Sequence, residues 1–211
     1  MPRNPALSTG KSSETRRAAI LKAATQVFLE GGYERACIDD VIAKIGGSKR
    51  TIYKEFGNKE NLFAEIIKER TARALAANLP ENEIETKDFR STLIAFGEQF
   101  LRLIMAPETV SVFRVVFGEC RQFPLLGKIF YEGGPAQTRA QLMRILDHFK
   151  KRGEITVSDT GLAADAFISM VRGNHHMEVL LGLRPPLSQK EIREIVEAKA
   201  DIFLNGVAAR R

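Results

Sequence analysis

Apolar residues recur along nearly the whole chain at intervals of three and four positions, the spacing of one face of an α-helix. No segment shows the alternation of apolar and polar residues that is typical of a half-buried strand. Glycine and proline clusters at 31–32, 46–47, 133–135 and 182–186 mark places where helices end. The pattern therefore predicts an all-α fold of about nine or ten helices.

The stretch from Asp39 to Phe63 has the most distinctive pattern. A short helix ends at Gly46-Gly47, and Ser48 stands in the N-cap position of a second helix that runs to about Phe56. The predicted inward residues of the two helices are Val41, Ile42, Ile45, Ile52 and Phe56. The other face of the second helix is basic. A helix, a glycine turn and a basic helix form the pattern of a helix-turn-helix.

Longer helices are predicted on both sides of the helix-turn-helix. The first runs from about Glu14 to Glu30 behind a flexible basic arm at residues 1–13, and the other runs from Lys59 to about Asn78. Asn58 is placed to cap the second of these. A polar loop at 80–85 is the predicted seam between two parts of the chain.

The remaining helices carry most of the phenylalanine residues. They are predicted to begin near Phe89, Pro107, Phe123, Ala136, Thr160 and Ser188. Pro107 suits the first turn of a helix, and Ser188 with Glu191 has the spacing of a capping box. The helix from Thr160 to Leu181 has apolar residues on more than one face. It is therefore either central in a monomer core or part of a contact surface.

Composition adds a charge asymmetry to this picture. The chain has 211 residues and a net charge of +6, with 44% hydrophobic and 27% charged residues, which are ordinary proportions for a globular protein. Between Lys44 and Lys59, five charged residues are positive and one is negative. Such a basic stretch favours a polyanionic partner. Cys37 and Cys120 form no disulfide framework, which is typical of the cytoplasm, and no apolar run is long enough to span a membrane.

Several short motifs stand at specific spacings around the basic stretch. They are Gly32-Tyr33, Asp40-Val41-Ile42-Ala43, Ile45-Gly46-Gly47-Ser48, Thr51-Ile52-Tyr53-Lys54-Glu55-Phe56 and Lys59-Glu60-Asn61-Leu62-Phe63. Together they resemble the N-terminal part of the TetR family of bacterial transcriptional regulators. Later segments at 123–135 and 172–176 are similar to effector-binding domains of a subgroup that regulates efflux and stress genes. The resemblance implies a helix-turn-helix DNA-binding domain at 14–58 and a helical ligand-binding and dimerisation domain at 59–211.

Three positions depart from the family pattern. Cys37 replaces the Thr or Ser that usually caps the second helix, so that cap is expected to be weaker or to shift to Asp39. Gly47 replaces an apolar Val in the turn, with an expected loss of about 1 kcal/mol of packing. Glu55 replaces an aromatic residue or His and is expected to place a negative charge near the DNA.

The predicted DNA contacts lie in the turn, in the second helix and at the start of the third. They are Ser48, Lys49, Arg50, Thr51, Tyr53, Lys54 and Lys59. The hydroxyl groups and Lys54 are phosphate candidates. Arg50 and Lys49 lie closest to base edges, so Arg50 either reads guanine or both residues touch only phosphates. Lys59 opposes the helix macrodipole in a first turn, which is better explained by an external phosphate than by compensation from Glu60 or Glu55. The basic residues before the stretch either reach DNA or belong to a solvated tail; they are Arg3, Lys11, Arg16 and Arg17.

A single short recognition helix covers too few base pairs for useful specificity. Two copies on a pseudo-palindromic double-stranded DNA operator are therefore expected. The helices at 136–152 and 160–181 are predicted to form a four-helix bundle across a two-fold axis, with Gly173 allowing close approach. The family resemblance favours this reading and further implies a repressor that a small effector releases from DNA.

Nine of the thirteen phenylalanines lie between Phe89 and Phe167. An aromatic stripe at helical spacing is usually core, but the resemblance implies that part of it lines an effector cavity. The predicted ligand contacts are Phe96, Phe100, Phe113, Phe117, Phe167, Met170, Asn174 and His175. The effector is expected to be mostly apolar and of drug size.

His175 and Glu178 share a helix face and leave a second class open, a metal-dependent helical enzyme or a metal sensor. A di-iron bundle needs two such elements and further carboxylates, and the sequence has no second set. It also has no HExxH, P-loop, nucleophile elbow or dinucleotide turn, so no enzymatic activity and no cofactor are expected. A regulator whose partner is another protein is the remaining alternative.

Overall fold

The computed structural model describes residues 8–76 and 87–206, and within these ranges it contains helices and no strands. The ten helices are α1 Ser8–Gly31, α2 Ile38–Ile45, α3 Lys49–Phe56, α4 Lys59–Ala76, α5 Phe89–Met105, α6 Pro107–Glu119, α7 Pro124–Gly133, α8 Pro135–Lys151, α9 Thr160–Leu180 and α10 Gln189–Asn205. The all-α prediction is confirmed. No helix in the described part of the chain is long and apolar enough to cross a membrane.

The chain divides into two compact units. The first unit comprises the chain up to Arg70 together with Val115–Phe130, and the second comprises Thr71–Arg114 and Tyr131–Arg211. The last residues of α6 and most of α7 therefore belong with the helix-turn-helix rather than with the phenylalanine-rich helices around them. The assignment of DNA binding to 14–58 and of ligand binding to 59–211 stays a prediction.

Aromatic rings hold the first unit together. Phe28, Tyr33 and Phe63 are almost fully buried, and each ring lies within 5.7 Å of the other two, measured between centroids. Phe123 adds an edge-to-face contact with Tyr33 at 4.8 Å. The predicted inner stripe of α1 is buried as expected: Ile20, Leu21, Ala24, Val27 and Phe28. These ring contacts join α1, the connector that follows it and α4.

The core of the second unit forms where α5 meets α10 and where α8 meets α9. Gly97 of α5 permits the first approach, because a Cβ added there would lie 2.7 Å from Cγ1 of Val196. Phe167 of α9 is fully buried and its ring lies 5.1 Å from that of Phe203. The predicted Ser188–Glu191 capping box begins α10, and Asp88 and Asp159, which were not predicted as caps, begin α5 and α9.

Some predicted boundaries differ from the structure. The first helix begins at Ser8 rather than near Glu14, because no proline follows Pro5 in this segment and its polar residues, with the single Gly10, are tolerated near the end of a helix. Residues 1–7 of the predicted arm lie outside the described residues, as do the loop at 80–85 and the predicted helix end at Asn78.

Candidate nucleic-acid interface and effector site

Local hydrogen bonds build the turn between α2 and α3. Cys37 remains the N-cap of α2, because Oδ2 of Asp40 accepts both from its backbone N–H at 3.2 Å and from its thiol at 3.0 Å. These hydrogen bonds lower the pKa of the Asp40 carboxyl below its usual value. Of the two expected outcomes, a weaker cap or a shift of the cap to Asp39, the shift does not occur. Ser48 caps α3 as predicted, since its hydroxyl oxygen accepts from the backbone N–H of Thr51 at 3.3 Å.

The backbone conformation of the turn requires glycine at both Gly46 and Gly47. Gly46 has φ 73° and Gly47 has φ 103°, and residues with a side chain rarely adopt a positive φ of this size. A Cβ at Gly47 would have a nitrogen of the Arg16 guanidinium, at 3.5 Å, as its nearest neighbour. A valine here would therefore meet a cation rather than fill an apolar gap. The structure does not support the expectation that Gly47 leaves the module core short of an apolar plug.

The exposed face of α3 is cationic, but its cations are not equivalent. The ammonium of Lys49 lies 2.7 Å from the Asp39 carboxylate, which raises the pKa of Lys49. Arg50 and Lys54 are exposed, and neither has an ion pair or hydrogen bond with any residue that the structure describes. Tyr53 is 43% exposed on the same helix. Arg50 and Lys54 are thus the predicted contacts whose charge is available without breaking an internal pair.

The other predicted hydroxyl contacts serve the helix cap. The hydroxyl oxygens of Ser48 and Thr51 lie 3.1 Å apart and share a hydrogen bond. Ile45, predicted as an inward residue of α2, is 37% exposed, whereas Val41 is fully buried.

Lys59 has partners inside the first unit. Its ammonium donates to the backbone carbonyl of Glu34 at 3.0 Å and lies 4.6 Å from the centre of the Tyr33 ring. Burial lowers the pKa of Lys59, and the Glu119 carboxylate opposes that shift. The same carboxylate accepts from the backbone N–H of Glu34 at 3.2 Å. The position of Lys59 against the macrodipole is therefore explained without an external phosphate, although a DNA contact by Lys59 stays a prediction.

Glu55 is also engaged internally. Its carboxylate lies 3.8 Å from Nε of Arg17 on α1, and Arg17 also pairs with Glu65 and lies over the Phe56 ring. The negative charge that was expected near the DNA is thus partly offset by Arg17. That residue is committed to contacts within the first unit and not to a solvated tail.

Four of the predicted ligand-contacting phenylalanines are buried in the second unit, and three of them, Phe96, Phe100 and Phe167, form a ring cluster. Phe96, Phe100, Phe113 and Phe167 are each at most 8% exposed. The Phe96 ring lies 6.4 Å from that of Phe100 and 6.5 Å from that of Phe167. Met170 is half-buried. The role of these residues as the lining of a ligand site stays a prediction.

Phe117 does not belong to this cluster. It is 59% exposed, lies in the part of α6 that clusters with the first unit, and has its ring 6.5 Å from that of Phe130. The prediction that it shares a lining with Phe113 and Phe167 is wrong. The preceding core positions of α6, Val112, Phe113 and Val116, already form its buried face.

The polar contacts predicted on α9 are displaced by a kink. Gly173 has φ 52° and ψ −166°, so the helical phase changes in the middle of the helix. After it, Asn174 is exposed and His175 is half-buried, whereas His176 is 4% exposed. If the helical spacing of Phe167 and Val171 continued unbroken, the next inward positions would be 174 and 175. The sequence therefore does not identify His176 as an inward residue. A glycine inside a long apolar helix was the available signal.

His175 instead belongs to an ionic cluster at the end of α9. Nη1 of Arg184 lies 3.1 Å from Nδ1 of His175 and 3.6 Å from the Glu178 carboxylate, and Nη2 of Arg184 lies 2.9 Å from Glu191. A guanidinium thus stands where a metal ion would be needed. Within 8–76 and 87–206, no group of three or more His, Cys, Asp and Glu side chains is placed to hold a metal.

The two helices predicted for dimerisation are present at nearly the predicted bounds, as α8 and α9. Leu162, Met177 and Leu181 are apolar residues of α9 and its end that are between 57% and 68% exposed. Burial of such side chains in a second copy is favourable, so they are the candidate contact surface of these helices.

Comparisons with known proteins agree with this geometry. Residues 20–66 match the model of the bacterial regulatory proteins of the tetR family, and residues 91–206 match that of the AefR-like transcriptional repressor C-terminal domain. The chain is 40% identical over 82 residues to the DNA-binding transcriptional repressor TetR of Mycobacteroides abscessus, a match that covers 39% of this chain and 40% of that protein.

Solved structures extend the similarity to nearly the full length. A TetR-family regulator from Mesorhizobium loti has a TM-score of 0.82 at 24% identity, covering 91% of this chain and 96% of that one, which shows the fold. The Flavonoid-responsive Regulator FrrA has a TM-score of 0.74 at 29% identity, covering 94% and 100%. The chain therefore belongs to the TetR family of bacterial regulatory proteins, and its C-terminal domain is AefR-like.

Proposed function

We propose that this protein is a ligand-responsive transcriptional repressor that binds a pseudo-palindromic operator as a homodimer and is released by a small, mostly apolar effector. The observation that carries the proposal is the exposed cationic face of α3, a helix that Ser48 caps and that follows the Gly46-Gly47 turn. The chain that contains it matches TetR-family models in both its N-terminal and its C-terminal part. The metal-dependent alternative has no support from the comparisons.

At the DNA, Arg50 and Lys54 supply charge that no partner in the described part of the chain neutralises, and Tyr53 adds an exposed hydroxyl. Arg50 is in the first turn of α3, the part of a recognition helix that contacts base edges. Lys49 can join them by exchanging Asp39 for a phosphate. These roles predict that binding depends strongly on salt, because each neutralised phosphate releases a counterion.

The test is affinity for genomic fragments selected by the pure protein, measured by fluorescence anisotropy over a range of salt concentrations. Lys54→Ala should reduce the log–log salt slope by about one. Arg50→Ala should weaken selected fragments more than random DNA if Arg50 reads a base. Lys190→Ala, at an exposed lysine on α10, is the matched control and should change neither. A flat salt slope for the wild type would refute DNA binding and favour a protein partner.

The homodimer is proposed to form through α8 and α9. Leu162, Met177 and Leu181 leave a large apolar area exposed in the single chain, and burial against a second copy removes it from water. Leu181→Glu should shift sedimentation velocity toward the monomer. Leu125→Glu, which changes an exposed leucine on α7, should leave the dimer intact. Monomeric wild-type protein at micromolar concentration would refute the dimer.

The effector is proposed to enter the second unit beside the phenylalanine cluster. FrrA is named as flavonoid-responsive, and a flavonoid is a planar, largely apolar molecule with hydroxyl groups, in keeping with an aromatic lining. The effector acts if it binds the DNA-released conformation more tightly than the DNA-bound one, which shifts the population toward release. Adding flavonoids to the operator complex tests this directly. A protein that works in this way acts in the cytoplasm, where the genomic DNA is.

A further inference from the structure

Two imidazole nitrogens of the second unit are buried without a hydrogen-bond partner among the described residues, Nε2 of His148 and Nε2 of His176, and of these two residues only His176 is itself buried. His176 of α9 is 4% exposed, and its Nε2 is fully buried with no partner among the residues that the structure describes. Buried polar atoms in folded proteins nearly always have one. The Nε2 atom is therefore an unsatisfied hydrogen-bonding group inside an apolar environment.

The ring stands in a fixed place between two helices. It makes an edge-to-face contact with Phe113 of α6, with 4.8 Å between the ring centroids. The next residue, Arg114, donates from Nε to the carbonyl of Leu180 and from Nη2 to that of Val179, both at 2.9 Å. These bonds join α6 to the end of α9 within one turn of His176, so the imidazole is held against Phe113.

The imidazole is neutral at physiological pH. Burial lowers the pKa of His176 to about 4, and the positive charge of Arg172 acts in the same direction. A neutral imidazole donates from one nitrogen and accepts at the other. It suits a hydroxyl group, which can do both, and it offers no positive charge to a carboxylate.

We propose that His176 is the hydrogen-bonding residue of the effector site, and that the effector carries a neutral hydroxyl group on an aromatic body that packs against Phe113. The inference rests on the proposed function, because it assigns a residue and a ligand class to the site of an effector. It moves the polar contact from His175, which pairs with Arg184, to the neighbouring residue.

The test uses two compounds that differ by one group, 6-hydroxyflavone and flavone, titrated into the full chain at pH 7 by isothermal calorimetry. The wild type should bind 6-hydroxyflavone roughly tenfold more tightly than flavone, since the hydroxyl satisfies a buried nitrogen. His176→Phe keeps an aromatic ring and should bind the two compounds equally. His176→Gln restores a donor and an acceptor and should recover part of the preference.

His175→Gln is the matched control and should keep the full preference for the hydroxyl compound. The proposal is overturned if the wild type binds both compounds equally, binds neither, or keeps its preference in His176→Phe. If that variant does not fold, His176→Gln decides: the proposal predicts a weaker preference than in the wild type and in His175→Gln, and an unchanged preference in His176→Gln overturns it. Operator binding is measured separately. Its absence would refute the proposed repressor without touching the ligand site, whereas hydroxyl-dependent binding that leaves the operator complex unchanged would refute only the effector role.

Discussion

Replacing Gly47 by valine, the residue more usual at this place in the family, should destabilise the protein. The φ of 103° at Gly47 penalises any Cβ by about 1–2 kcal/mol, and a β-branched side chain by more. No apolar burial offsets this, because the nearest atom to the added Cβ would be an Arg16 guanidinium nitrogen at 3.5 Å. We expect a loss of about 2 kcal/mol, and at typical denaturant dependences the urea midpoint should fall by roughly 1 M.

Far-UV circular dichroism during urea unfolding measures this directly. Gly118→Ala is the matched control, since Gly118 is an exposed helical glycine with no atom within 4 Å of the added Cβ. It should gain about 0.5–1 kcal/mol from lower backbone entropy in the unfolded chain. A Gly47→Val variant that keeps or raises the midpoint would show that the turn adopts another conformation, with the valine buried as the family pattern suggests.

Three further outcomes follow from the contacts described above. Gly97→Ala should lower the free energy of unfolding, measured by thermal unfolding, by about 1–3 kcal/mol, because the added Cβ would lie 2.7 Å from Val196. Combining it with Val196→Ala should recover part of that loss. The free energy of unfolding should fall as the pH drops from 6.5 toward 4, because the pKa of His176 is about 4 in the folded chain and 6.5 in the unfolded chain, so the unfolded state takes up the proton first. The loss is on the order of 2–3 kcal/mol and should shrink in His176→Phe. A pH profile that is the same in this variant and in the wild type would contradict the burial argument. Lys59→Met should lower the free energy of unfolding by about 1 kcal/mol, because the contacts of Lys59 with Tyr33 and Glu34 are lost. The same variant should reduce the salt slope of DNA binding less than Lys54→Ala does. A larger reduction than in Lys54→Ala would show that Lys59 contacts a phosphate.

The helix-turn-helix and the starts of several other helices were predictable because their signals are local. Ser48 caps α3, Asn58 caps α4 through a 2.7 Å bond to the backbone N–H of Asn61, and Pro107 begins α6. Each of these residues acts within one turn of its own position, so its spacing in the sequence is enough.

The roles that depend on distant partners were not predictable. Lys59 is held by a carbonyl of the connector after α1, and no spacing rule relates the two. Phe117 has the helical spacing of a core residue, but it lies at the exposed edge of the buried face of α6. The burial of His176 was not predictable from the helical spacing, because the backbone at Gly173 departs from helical angles and changes which residues after it face inward.

The break at Gly173 also bears on how this regulator can be compared or redesigned. A helical wheel drawn through the whole of α9 assumes one constant phase, and the backbone at Gly173 breaks that phase. Residues grafted by alignment from a relative with an unbroken helix would therefore point about one position away from their intended target. Selections that aim to change effector range should treat the segment before Gly173 and the segment after it as two separate libraries, each with its own inward positions.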